Sequence, residues 1–199
     1  AGAKTHLSQL SSDLANLAQV GTWAVSSAGL VLSGDGQSDL LVFNLGNTAL
    51  QNITLSNVKA GAHVVINSSL RHVNFGGNLG GDLGNSSDAL ALHRNSIVYN
   101  LANADNVNVG TFLNGSVLAL GADVIGSGHL EGSLFANSLS AGSNGKLELG
   151  YEPFKPYRPV PPAPASVPEP SSWVLLLGAL SVLALASARR PRESRVQTR

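Results

Sequence analysis

Residues 5–20, THLSQLSSDLANLAQV, place Leu7, Leu10, Leu14 and Leu17 at spacings of three and four, with polar residues between them. That period marks one face of an α-helix. Thr5 is a candidate N-cap and Gly21 a candidate stop. One amphipathic helix is therefore predicted over about 5–20, and its apolar stripe needs a surface to lie against. From residue 22 to about 150 the helical period is lost. Short runs of Val, Ile and Leu alternate with clusters of Gly, Asn, Asp and Ser, the pattern of many short strands joined by turns.

One repeat is legible within that region. NGSVLALGADV (114–124) is followed 17 residues later by EGSLFANSLSA (131–141), which sets Gly115, Ser116, Val117, Leu118 and Ala119 over Gly132, Ser133, Leu134, Phe135 and Ala136. Looser echoes are LVFN (41–44), VVIN (64–67) and IVYN (97–100). Apolar tetrads returning at such intervals predict an irregular β-solenoid, β-helix-like, with one strand per rung and inward side chains stacked. The longer intervals, notably 68–96, are then loops thrown out from the coil. A sandwich of alternating strands is the competing architecture, so the class is mainly β in either case.

The pattern changes again after Phe154. KPYRPVPPAPASVPEP (155–170) holds seven of the nine prolines, so residues 155–166 read as an extended, semi-rigid linker. Sixteen mostly apolar residues follow, Trp173 to Ala188, and then Arg189, Arg190, Arg192, Arg195 and Arg199. A spanning helix needs roughly 17–25 residues; counting Ser171 and Ser172 gives a marginal C-terminal transmembrane helix over 171–188. The arginines after it (basic tail 189–199) belong on the cytoplasmic side, which puts residues 1–170 outside that membrane. A permanent single-span anchor explains the span and the basic tail. It does not explain Val167, Pro168, Glu169 and Pro170 just outside them.

Composition narrows the setting. Residues 1–166 carry ten acids and seven bases, and the tail supplies the compensating arginines. A weakly acidic body offers no electrostatic footprint for nucleic acid. Charged residues make up only 12%, while Gly, Asn and Ser abound, which suits an exported, turn-rich β protein. There is no cysteine, so no disulfide framework and no thiolate metal site. There is no methionine either, including at position 1, and a processed or truncated form with its export signal removed is the expectation.

Val167 to Trp173 (VPEPSSW), the leucine-rich span and the arginine cluster, in that order, resemble the PEP-CTERM sorting signal of Gram-negative bacteria. The resemblance implies recognition by exosortase, a membrane-embedded transpeptidase-like cysteine enzyme that cleaves near Pro168-Glu169-Pro170. It also implies an inner-membrane precursor oriented by Arg189, Arg190 and Arg192, and then a cell-surface or extracellular-matrix destination. The eleven-residue tail is longer than that family's usual few. Residues 97–154 are similar to the end of the choice-of-anchor A domain, through Tyr99, Asn100, Gly115, Ser116, Leu118, Ala119, Ala122, Gly132, Ala136, Ser138 and Leu139. Leu120 stands where that family often has proline and Leu101 where an aromatic is usual. DLLVFNL and HVVINSS extend the likeness across most of residues 1–154. It implies an extracellular, non-catalytic surface domain.

No reaction chemistry is legible. There is no Gly-x-Ser-x-Gly elbow, His-Glu-x-x-His, phosphate loop or dinucleotide fingerprint. Neither an enzyme nor a cofactor is expected. His6, His63, His72, His93 and His129 lack ligand-like spacing; His63 and His72 could meet between segments, but surface or turn positions fit them better. Asp35, Asp39, Asp82 and Asp88 lie in SGDGQSD and GGDLGNSSD, which match no calcium loop, and turn chemistry accounts for them. A solenoid with an accompanying helix also resembles ice-binding proteins. Their faces usually present ranks of threonine, and the six threonines here do not recur at rung spacing. Two readings stay open: an exosortase-processed surface or matrix protein associated with extracellular polysaccharide and biofilm, or an adhesin-like glycan- or protein-binding module permanently anchored by the C-terminal helix.

Overall fold

The computed structural model describes residues 2–82, 84 and 88–157. Thirteen short strands succeed one another: β1 (Thr22–Ser26), β2 (Gly29–Ser33), β3 (Leu40–Asn44), β4 (Thr54–Ser56), β5 (His63–Asn67), β6 (His72–Phe75), β7 (Ile97–Asn100), β8 (Asn106–Val109), β9 (Phe112–Asn114), β10 (Ser116–Gly126), β11 (His129–Glu131), β12 (Leu134–Ala141) and β13 (Glu148–Gly150). They wind into a β-solenoid of about six turns. The first face stacks β3, β5, β7, the start of β10 and the start of β12, in that order. The second stacks β6, β8 and the far halves of β10 and β12. The third carries β2 on β4, and β9, β11 and β13. All this stacking is parallel, which excludes the antiparallel sandwich. The repeat in the sequence is a true rung repeat: Val117, Leu118 and Ala119 pair with Leu134, Phe135 and Ala136.

Alternation along each strand decides what lies inside. On the first face Leu41 and Phe43 stack on Val64 and Ile66, these on Ile97 and Tyr99, and Tyr99 on Val117, all essentially inaccessible to solvent. The second face adds Val73, Phe75, Val107, Val109 and Val124, and the third Leu30, Leu32, Leu113 and Leu130. Where rungs turn, backbone touches backbone. Gly115 has φ +115°, and a Cβ on Gly132 would collide with the Gly115 carbonyl one rung away, so both corners of the GS repeat exclude larger residues. The antiparallel β1 covers β2, and Val20 bridges Val42 in antiparallel fashion. The first rung is thereby capped.

Several expectations need correction. A turn of the coil carries up to three strands, one on each face, as β7, β8 and β9 do, rather than one. Residues 68–96 are not wholly an excursion, because His72–Phe75 forms β6 with Val73 and Phe75 inward. The excursion lies beyond it and includes α2 (Ala89–Leu92), capped by the Asp88 carboxylate on the Leu90 amide at 2.9 Å, and a 3₁₀ turn, Arg94–Ser96. The N-terminal helix, α1, runs Gly2–Ala15 rather than 5–20, so Thr5 lies within it and not at its cap. Its buried residue is Ser11, not a leucine, and Leu10 stays 39% exposed.

The reason is a polar seam on the outside of the first face. Asn44, Asn67 and Asn100 end β3, β5 and β7 and stand in register on successive rungs. Asn100 Nδ2 donates to Ser11 O at 2.9 Å, Asn67 Nδ2 to Leu14 O at 2.8 Å and Asn44 Nδ2 to Leu17 O at 3.0 Å. The same amides chain to each other, Asn100 to Asn67 at 2.9 Å and Asn67 to Asn44 at 2.8 Å. Ser11 Oγ closes the seam on Asn100 Oδ1 at 2.6 Å. Three helical residues rise about 4.5 Å and adjacent strands lie about 4.8 Å apart, so carbonyls three residues apart meet consecutive rungs. The asparagines add a second donor to carbonyls at the end of the helix and take up the Leu17 carbonyl just beyond it. The leucine stripe flanks this contact, half-exposed.

After β13, residues 151–157 have no regular structure but are not free of the body. Glu152 accepts from Arg94 Nε at 2.9 Å and from Asn95 Nδ2 at 3.2 Å. The Lys155 amide donates to Asn95 O at 2.7 Å, and Lys155 O lies 2.7 Å from His63 Nε2. Phe154 and Tyr157 contact the His63 ring edge-on. Lys155 and Tyr157, expected in the linker, thus belong to a strap across the solenoid. The rest of the linker and the 171–188 span lie outside the described residues. No helix among the described residues is long and apolar enough to cross a membrane.

The seam generates a prediction. Asn100→Ala leaves the buried Ser11 hydroxyl without its acceptor and the Asn67 amide oxygen without its donor, so stability should fall by about 2–4 kcal/mol. Amide hydrogen exchange should show α1 losing protection before the rungs, with the loss read from denaturant midpoints.

Candidate functional site

The second face turns a flat array of polar side chains to solvent. Parallel register aligns His72, Asn106, Asp123 and Ser138 in one column and Asn74, Asn108, Ile125 and Ser140 in the next. All eight are exposed. Alternation produces the array, since the residues between them, Val73, Val107 and Val124, point into the core. Neighbouring rungs hold each other's side chains in place. His72 Nδ1 lies 3.0 Å from Asn106 Oδ1, and Asn108 Nδ2 donates to Asn74 Oδ1 at 3.0 Å. Asp123 Oδ1 accepts from Ser138 Oγ at 2.6 Å and from Asn137 Nδ2 at 2.8 Å. Those two bonds, the Ser138 hydroxyl first, hold the Asp123 carboxyl below its usual range. The result is a nearly neutral lattice of amide and hydroxyl groups repeating at about the strand spacing. Such a surface can make many weak, directional hydrogen bonds to a polyhydroxylated partner; it has no nucleophile–base pair.

Titratable groups gather instead on the third face and the strap. His129 stacks on Phe112, ring centroids 4.6 Å apart and planes 5° from parallel. Its Nε2 is 2.8 Å from Glu131 Oε1 and its Nδ1 is 3.1 Å from Glu148 Oε2. Arg94 lies 2.7 Å from Glu152 and 3.9 Å from Glu131. Burial pulls the His129 pKa down, but the hydrogen bonds and charges of Glu131 and Glu148 outweigh it and leave the pKa above the ordinary value. This cluster is structural, joining β11, β13, the 3₁₀ turn and the strap.

The other residues weighed as chemistry serve turns and caps. Asp35 accepts from the Gln37 and Ser38 amides and the Ser38 hydroxyl, which bring its pKa to about 2. Asp39 pairs with Lys59 at 2.6 Å, and Asp88 caps α2. His63 and His72 fall on different faces. The sorting-signal positions Val167, Pro168, Glu169 and Pro170, with Arg189, Arg190 and Arg192, lie outside the described residues. Sequence reasoning missed both polar arrays. Their signals were the terminal asparagines of LVFN, VVIN and IVYN, and the alternation in HVNF (72–75) and NVNV (106–109).

The described residues form a helix-braced parallel β-solenoid with one outward polar face. Residues 1–149 match the family described as "Putative Ice-binding-like adhesive domain", and the chain belongs to that family. The choice-of-anchor A domain is not the name this match carries. Residues 166–190 match the PEP-CTERM protein-sorting motif, the recognition signal for exosortase processing, which supports export and cell-surface targeting in bacteria. Neither a curated protein nor a solved structure matches the chain.

The His129 cluster makes stability depend on pH. A raised folded-state pKa means the folded state prefers protonated His129, so its contribution is full below the unfolded value of 6.5 and is lost as pH rises through the folded value. Thermal melts of the chain and of His129→Gln should therefore differ more at about pH 5.5 than at about pH 8.5. A gap that widens toward alkaline pH would contradict the assignment.

Proposed function

We propose that this chain is a non-catalytic bacterial surface protein, delivered through exosortase processing, whose solenoid holds extracellular polysaccharide on its second face. The observation that carries the reading is the order of two matches in one chain: an adhesive-domain family over 1–149 and a PEP-CTERM motif over 166–190. The apolar run after Pro170 is marginal in length for a lasting span, which suits a precursor held briefly in the inner membrane of a Gram-negative cell. Glu169, between two prolines of fixed φ, is the side chain an embedded enzyme would read. The arginines behind the run keep the tail inside. The exposed lattice of Asn, Ser and His side chains suits the neutral hydroxyls of a matrix glycan, which supports an association with biofilm material. Permanent anchoring by the same apolar run is the second reading, supported by the arginine tail alone.

Mutation separates the two. If the tail is a sorting signal, Glu169→Ala and deletion of the host exosortase should each leave full-mass precursor in the inner membrane. Surface protein that retains Trp173 to Arg199 would establish the permanent anchor. For the binding face, Asn106→Ala with Asn108→Ala should lower retention on extracted matrix polysaccharide about tenfold while leaving processing unchanged.

A further inference from the structure

The two ends of the solenoid differ. The first rung is covered by β1 and by the Val20 bridge, whereas among the described residues β12 pairs only with β10 and β13 only with β11. The last rung's inward side chains are consequently exposed. Leu139 continues the column of Val124, and Leu149 that of Leu130; both predecessors are fully buried, yet Leu139 is 47% and Leu149 51% exposed. The eight residues of β12, LFANSLSA, include no charge and no proline, two of the usual devices against strand pairing. Among the described residues, the strap after Gly150 runs to Asn95 and His63 and not over this edge.

We propose that a second copy of this chain docks end to end on this open rung, with β12 running antiparallel to its own counterpart across a two-fold axis. Geometry favours a copy over an unrelated partner. Turning a coil end over end reverses its sense, so every strand at the junction meets an antiparallel one, and each free edge finds a ladder partner. An axis through the second face sets residues 138–141 against their own equivalents and the start of β12 against the copy's β13. Leu139 and Leu149 then enter one continuous core. Charge agrees. Lys146, exposed in the turn after β12, comes to the Ser138 end of the copy's face, where the copy's Asp123 keeps Oδ2 outward while Oδ1 is held by Asn137 and Ser138. The symmetry makes this pair twice.

The test uses the full chain in non-ionic detergent, measured by sedimentation equilibrium. A concentration-dependent dimer is expected. Leu139→Lys, a charge pointed into the junction, should weaken it at least about tenfold. Because that variant could also disturb folding, Lys146→Glu provides a surface change with the same direction, and adding Asp123→Lys to it should restore association. The chain has no cysteine, so Ser140→Cys should give a disulfide-linked dimer on mild oxidation and Ala24→Cys, at the covered end, should not. A monomer at every concentration, association untouched by these substitutions, or cross-linking through Ala24→Cys would overturn the proposal.

Discussion

Everything distinctive in this molecule follows from one fixed length, the distance of about 4.8 Å between hydrogen-bonded parallel strands. Each turn of chain stacks on the last at that spacing, so a residue's neighbours are the residues one rung away. Inward positions become continuous apolar columns, such as Leu41, Val64 and Ile97, or Val73, Val107 and Val124. Outward positions become equally regular polar columns. The helix obeys the same constraint, because three of its residues rise by nearly one rung. A helix lying across the strands could not meet Asn100 and Asn67 in turn through Ser11 and Leu14; one lying along the stack can, and the chain leaving it brings Leu17 to Asn44.

That arrangement explains how a polar seam can be buried without loss. Asn100 is 1% exposed, and burying an amide without partners is costly. Here its donor and acceptor groups are taken up by Ser11 and by Asn67, and the ladder passes the demand to the next rung until Asn44 meets Leu17. Two buried atoms do not share in such a network among the described residues: the Tyr99 hydroxyl and Asn114 Oδ1. Tyr99 packs edge-on against Phe75 with ring centroids 5.1 Å apart, and burial drives its pKa well above the ordinary phenol value. There the aromatic body fills the column, and the cost of the hydroxyl is offset by the packing.

The sequence disclosed the coil where rungs are closest in length. Seventeen residues separate Gly115 from Gly132, and the register holds through Ala119, so the pairing of Val117 with Leu134 follows directly; beyond Ala119 two extra residues in β10 shift Asp123 onto Ser138. It disclosed less where the chain detours between β6 and β7, since HVNF is only four residues long and sits beside a glycine-rich excursion. The helix boundary was misjudged for a physical reason. Leucine spacing was taken to define the docking face, but α1 docks through backbone carbonyls, which leave no side-chain signature except Ser11. The asparagines that receive it were visible at the ends of three apolar tetrads, yet an isolated asparagine after a strand reads as turn chemistry. Only stacking turns it into a ladder.

The strap shows how the same logic serves the chain's exit. The strap has no regular structure of its own, so specific polar ties hold it, along with the Phe154 and Tyr157 contacts to His63. Arg94 and Glu152 are both largely buried, where a charge deprived of its partner is costly, and Asn95 grips the strap through its side chain and through its carbonyl. His129 adds a second tie, between β11 and β13, through Glu131 and Glu148. Among the described residues the last rung is thus secured from the side, by charge and hydrogen bonds along the outer surface.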